Sequence, residues 1–118
     1  MKRTEIKVKI IAPTGEPYKG AIIKMRLEKP FFYAGVYINN NEYREYTNTF
    51  GVAEFELVPS VYDESGENFY NVEIVYDTVL LKKVVVPESD TVLSLDALDE
   101  YQFPYERIDF INECDTRL

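Results

Sequence analysis

Histidine is absent from this chain of 118 residues. Its absence removes the commonest general base, the usual imidazole metal ligand and every His-dependent nucleophilic triad. There is one cysteine, Cys114, so no intrachain disulfide forms and no thiolate zinc site is built. A lone cysteine fits a reducing compartment. Glycine is scarce, at five residues, and none sits in a phosphate-cradling loop. No apolar run approaches the roughly 18 residues of a membrane span. The opening MKRTEIKVKI interleaves charge with aliphatics where a signal peptide needs an unbroken apolar stretch, so no signal peptide is expected.

Tryptophan is also missing, but there are ten tyrosines and seven phenylalanines, a strand-rich and contact-rich bias. Hydrophobic residues make up 46% of the chain, enough for one domain to hold a core without metals or disulfides. The net charge is −8 and unevenly spread: residues 1–30 carry eight Lys/Arg against three acids, and the rest five against eighteen. Nucleic acid is disfavoured as a partner, because phosphate contacts need a basic face. The early basic residues are not such a face, since Lys7 and Lys9 alternate with Ile6, Val8 and Ile10 as on the wet side of a strand.

The alternation is explicit along much of the chain. Residues 5–11 place Ile6, Val8 and Ile10 on one face, and the turn-rich APTGEPYKG follows. Residues 21–28 turn Ala21, Ile23, Met25 and Leu27 inward and Lys24, Arg26 and Glu28 outward. After the irregular KPFFYAG, two short strands, 36–38 and 42–47, are expected around the bend Asn39-Asn40-Asn41. Residues 52–58 place Ala53, Phe55 and Leu57 in and Glu54 and Glu56 out, and Pro59 ends them. Residues 69–76 carry Tyr70, Val72, Ile74 and Tyr76 on one face, and Asp77-Thr78 is short enough to join them in a hairpin to 79–86. Residues 91–95 make a last strand. About seven or eight strands without helical periodicity predict an all-β, antiparallel β-sandwich over residues 1–96, its core holding Ile6, Val8, Ile10, Ile23, Met25, Leu27, Phe55, Leu57, Val72 and Ile74. Without βαβ crossovers a parallel sheet is not expected.

Residues 97–118 differ in character and are expected to form an acidic, aromatic C-terminal arm. Tyr101, Phe103, Tyr105, Phe110 and Ile111 carry more apolar area than a solubilising tail needs, and they are the candidate partner-binding residues. Pro104 favours extended backbone around Phe103 and Tyr105. Docking on a neighbouring subunit competes with folding back over the chain's own sheet edge. No catalytic, cofactor-binding or metal-binding residue is expected. Glu54 and Glu56 share a strand face, and paired carboxylates run glycoside hydrolysis, but the pattern here is that of a wet face. Asp63, Glu64 and Glu67 share one loop without the spacing of an EF-hand, and Asp96, Asp99 and Glu100 are similarly discounted as calcium ligands. Tyr33, Tyr37, Tyr43 and Tyr46 in the irregular middle either cap the core or present rings to a sugar or a protein.

The run Thr47-Asn48-Thr49-Phe50-Gly51, continuing through Val52-Ala53-Glu54-Phe55-Glu56-Leu57-Val58-Pro59, resembles the prealbumin-like and carboxypeptidase-regulatory-like (Ig-like) β-sandwich domains. So does the upstream PTGEPYKGAIIKMRL, with its turn between the first two strands, and so does Tyr70-Asn71-Val72-Glu73-Ile74. In this form, with VPESDTVLSLD, the chain is similar to small domains of tailed-phage virion proteins. That resemblance covers residues 4–96 and implies a fold and an assembly role but no catalytic residues. The hydroxyisourate hydrolases among prealbumin-like proteins use histidines, which this chain lacks. The expectation is a non-enzymatic virion component of tail, fibre attachment, neck or head decoration, homo- or hetero-oligomeric with other virion proteins and made in the host cytoplasm. A carbohydrate- or surface-binding module is the alternative, and an inhibitor or chaperone-like partner a third.

Overall fold

A computed structural model describes residues 1–102 of the chain. The strands are β1 (Thr4–Lys9), β2 (Ile22–Leu27), β3 (Phe31–Tyr33), β4 (Val36–Ile38), β5 (Tyr43–Tyr46), β6 (Val52–Leu57), β7 (Tyr70–Val75), β8 (Val79–Val85), β9 (Leu93–Ser94) and β10 (Asp99–Glu100). Short 3-10 turns lie at Ser60–Tyr62 and Leu95–Ala97. The strands form a three-stranded sheet ordered β6-β1-β9, a five-stranded sheet ordered β10-β8-β7-β2-β5, and a separate β3-β4 hairpin. Inward side chains of the two larger sheets meet in one cluster, which makes the molecule an all-β sandwich.

Period-two burial explains the register. In the antiparallel β1–β6 pair, Ile6 lies opposite Phe55 and Val8 opposite Ala53, all buried, while Lys7 faces Glu54 on the wet side. A slip of one residue would turn every one of these apolar groups to water. β2 pairs β7 antiparallel in the same way, with Ile23 opposite Ile74 and Met25 opposite Val72. Of the expected core only Ile10 is not fully buried: β1 ends at Lys9, and Ile10 packs against the cluster from its edge.

One corner joins the first two strands to the Thr47–Gly51 turn. The Thr47 hydroxyl donates to the Tyr18 carbonyl at 2.6 Å and accepts from the Ala21 N–H at 2.9 Å. Ile10 N–H donates to the Gly51 carbonyl at 2.8 Å, and Tyr18 N–H donates to the Ile10 carbonyl at 3.0 Å. Gly51 has φ +75°, and a Cβ there would collide with the Ile10 carbonyl oxygen. The spacing from Thr47 to Gly51 therefore has a local physical cause.

Several expectations are corrected. The two short strands expected around Asn39–Asn41 are present as β4 and β5, the second spanning Tyr43–Tyr46 where 42–47 was expected, and each pairs with another strand. β4 pairs β3 through the two-residue turn Ala34-Gly35, while β5 pairs β2. Both turn residues have positive φ, 50° and 79°, as the primed hairpin turns require. The asparagines still bend the chain, since Asn39 Oδ1 accepts from the Asn41 N–H at 2.9 Å. The β7–β8 loop holds three residues, Tyr76–Thr78, rather than two, because the ladder closes at Val75 and Val79. Tyr76 is exposed beyond the strand end and meets Tyr18 edge to face at 5.9 Å. β9 pairs β1 in parallel over two residues, Ile6 with Leu93 and Lys7 with Ser94, as the chain crosses back to the smaller sheet. A connection through several other strands supplies the crossover that a βαβ helix supplies elsewhere.

The sandwich continues past residue 96. Leu95 and Leu98 are buried in the core cluster, and β10 pairs β8 antiparallel, Asp99 opposite Val85 and Glu100 opposite Val84. Among the described residues no helix is long and apolar enough to cross a membrane.

Candidate interaction surface

The five-stranded sheet outspans its three-stranded partner, and the difference exposes apolar surface. Tyr43, on the core side opposite Met25, is exposed, as is Leu80 opposite Ile74. Every residue of β5 is exposed. Phe32, Phe50 and Leu81 are each 71% exposed. Single exposed apolar residues are ordinary, but clusters on a small domain mark contact surfaces.

Tyr101 is the one candidate partner-binding residue placed by the structure. Its ring stacks on the buried Phe69 at 4.3 Å, and its N–H donates to the Lys83 carbonyl at 2.9 Å. The Lys83 ammonium lies 5.6 Å from the centre of the same Phe69 ring and donates to Asn71 Oδ1 at 3.1 Å. Phe103, Tyr105, Phe110 and Ile111 lie outside the described residues. Beside Tyr101 and Gln102 an open groove of about 780 Å³ crosses the outer sheet face, with Lys24, Arg26, Glu73 and Leu81 along it. Lys24 and Glu73 pair at 3.9 Å across it.

A smaller cleft of about 250 Å³ gathers Tyr37, Tyr43, Asn39, Asn41, Arg3 and Glu56. Arg3 and Glu56 form an ion pair of 3.1 Å there. Tyr70 closes its base, donating to the Val58 carbonyl at 2.7 Å. Burial, and secondarily the nearby Tyr43 hydroxyl, push the Tyr70 phenol above its ordinary pKa. Of the four middle tyrosines, Tyr37 and Tyr43 come together at this cleft. Tyr33 instead stacks on Tyr62 at 4.3 Å, and Tyr46 lies on the outer face of β5. The Tyr62 hydroxyl donates to Glu88 at 3.0 Å; burial first, then this carboxylate, raises its pKa.

The acidic candidates are spread apart. Glu54 and Glu56 are exposed on β6. Asp63 accepts from the Ser65 N–H and from Asn68 Nδ2, each at 3.0 Å, while Glu64 and Glu67 face solvent. Burial would raise the Asp63 carboxyl, but these hydrogen bonds outweigh it and hold the carboxyl below its ordinary range. Asn68 also donates to the Lys29 carbonyl at 2.8 Å, so the loop is organised by protein donors. Asp96 lies in the Leu95–Ala97 turn, and Asp99 and Glu100 make up β10. Among the described residues no three metal-ligating groups converge.

The sequence reasoning missed Leu81, Phe32 and Phe50 as surface residues. In Val79-Leu80-Leu81-Lys82-Lys83-Val84 both faces look apolar, so alternation gives no phase; the register with β7, which sets Leu81 opposite Glu73 on the outer face, shows which residues are uncovered. The chain matches no protein-family model and no curated protein sequence.

Proposed function

We propose that this protein is a non-enzymatic structural module that joins other subunits of an assembly, in the manner of the tailed-phage virion domains that its sequence resembles. The observation that carries the reading is the exposure of large apolar and aromatic side chains on a sandwich whose own core is complete, with Phe32, Phe50 and Leu81 the most exposed. Such surface is a liability for a solitary domain and a resource for an assembled one. The absence of histidine and the dispersed carboxylates point the same way. Mass spectrometry of particles purified from the source of this chain tests the proposal. Recovery at a fixed copy number relative to the other particle proteins supports it. Intact particles lacking the chain, from cells that express it, refute it.

A second reading rests on the Tyr37–Tyr43 cleft. Two exposed rings beside two amides and an ion pair suit a sugar, whose apolar face stacks while its hydroxyls bond. Glycan-array binding abolished by Tyr37→Ala and Tyr43→Ala, without particle association, would favour it.

A further inference from the structure

Strand β5 has one open side. It ends the five-stranded sheet beside β2, and among the described residues no strand lies beyond it. Glu28 N–H donates to the Phe69 carbonyl, so even-numbered residues along β2 turn their backbone groups to β7 and odd-numbered ones to β5. Thr47 agrees, since its N–H donates to the Ala21 carbonyl and its own carbonyl accepts from the Gly20 N–H. Tyr43 and Glu45 therefore bond to β2, while Arg44 and Tyr46 direct their N–H and C=O outward. An edge of this kind is a template for another strand.

A second copy of the chain fits that edge in one register. Antiparallel self-pairing runs about a two-fold axis normal to the sheet, so one residue lies opposite its own copy. Centred on Arg44, it opposes two guanidiniums; centred on Glu42 or Glu45, it opposes two carboxylates. Centred on Tyr46, it sets Arg44 against Asn48, whose N–H and carbonyl are already bonded to Val52 and Gly51. Centred on Tyr43, it sets Glu42 of each protomer opposite Arg44 of its partner on the outer face. Within one chain these side chains already pair at 3.0 Å, so two copies bring four alternating charges together. The exposed Tyr43 rings then meet across the axis on the inner face. The same pairing turns the β3–β4 hairpin end of each protomer, with Phe32 and Tyr37 exposed, toward the turn that carries the exposed Phe50 of its partner. β6, the open edge of the smaller sheet, is unlike β5: registers centred on Glu54, Phe55 or Glu56 all oppose glutamates.

We infer that the open edge of β5 is a self-association surface, on which a second copy of this chain pairs antiparallel about Tyr43 and the two five-stranded sheets become one. Glu42 and Arg44 select the register by charge, and their backbone groups exchange the hydrogen bonds across the axis. The inference needs only a second copy and does not rest on the assembly role, which particle composition tests separately.

Sedimentation velocity of the full chain at concentrations up to roughly 1 mM measures the dimer. Glu42→Arg and Arg44→Glu each turn two attractive pairs into repulsive ones and should raise the dimer dissociation constant about tenfold or more. The double variant exchanges the charges and should return the constant to near its wild-type value. Both side chains are exposed, so each variant keeps its fold, which the melting temperature of dilute protein checks. Engineered cysteines read the register on a Cys114→Ser background. The two Tyr43 Cα atoms, as a non-hydrogen-bonded pair, lie about 4.5 Å apart, so Tyr43→Cys should oxidise to a covalent dimer. The two Glu45 positions lie four residues out of step, about 14 Å, so Glu45→Cys should not. A chain that stays monomeric throughout overturns the inference, as does a dimer indifferent to the single reversals. So does a double variant as weak as the singles, or a covalent dimer through Glu45→Cys in place of Tyr43→Cys.

Discussion

Replacing Thr47 by valine removes a hydroxyl and leaves the shape nearly unchanged. Thr47 is 3% exposed, so no water takes the place of its oxygen. The hydroxyl accepts from the Ala21 N–H at 2.9 Å, and Ala21 is itself fully buried. Losing the acceptor leaves that donor without a partner, which costs about 1–3 kcal/mol. Losing the donor to the Tyr18 carbonyl, a bond of 2.6 Å at a half-buried site, adds about 0.5–1.5 kcal/mol. Thr47→Val should therefore destabilise the protein by about 2–4 kcal/mol with no cavity contribution. Thr47→Ser keeps both bonds and removes one methyl group, at about 1 kcal/mol. Urea unfolding at neutral pH measures both variants, with an unchanged m-value confirming that the comparison is one of stability. The expected order of stability is wild type, then serine, then valine. A valine variant as stable as the serine variant would refute the argument that this hydroxyl ties the Tyr18–Ala21 turn to the Thr47–Gly51 turn.

Phe55→Ala empties a buried site opposite Ile6 and should cost about 3–5 kcal/mol, read from the same unfolding curves; an unchanged midpoint would mean that β6 faces the other way. Ala34 has φ 50°, so Ala34→Gly should raise stability by about 0.5–1 kcal/mol, and a lower melting temperature would contradict the strained turn. Asp63 has a depressed carboxyl pKa, so its charge stabilises the fold above its ordinary value of 3.8, and that contribution is lost as pH falls through the lower folded value. Asp63→Asn should therefore be less stable than wild type near neutrality, with the gap closing below about pH 3.8; a gap independent of pH would show that the carboxylate charge is irrelevant. Broad hydrolase and esterase screens should find no turnover, and activity abolished by Glu54→Gln or Glu56→Gln would overturn the non-enzymatic reading.

Alternation alone determined the sandwich, because β1, β2, β6 and β7 each present one apolar face and a period of two admits one inward phase. It also marked Glu54 and Glu56 as a wet face and Phe55 as core. Local rules reached no further where the code is degenerate. Three asparagines signal a bend but not which strands it joins, so pairing across β2 and β5 depended on contacts distant in sequence. Val79 to Val86 is apolar on both faces, so only its register with β7 decided the phase: Val84 lies opposite the buried Tyr70 and faces the core, while Leu81 lies opposite Glu73 on the outer face and is exposed. Thr47 and Thr4 look like surface residues by composition. Tertiary structure buries them because backbone groups from other turns, the Ala21 N–H and the carbonyls of Tyr18 and Pro87, converge on their hydroxyls and satisfy them away from water.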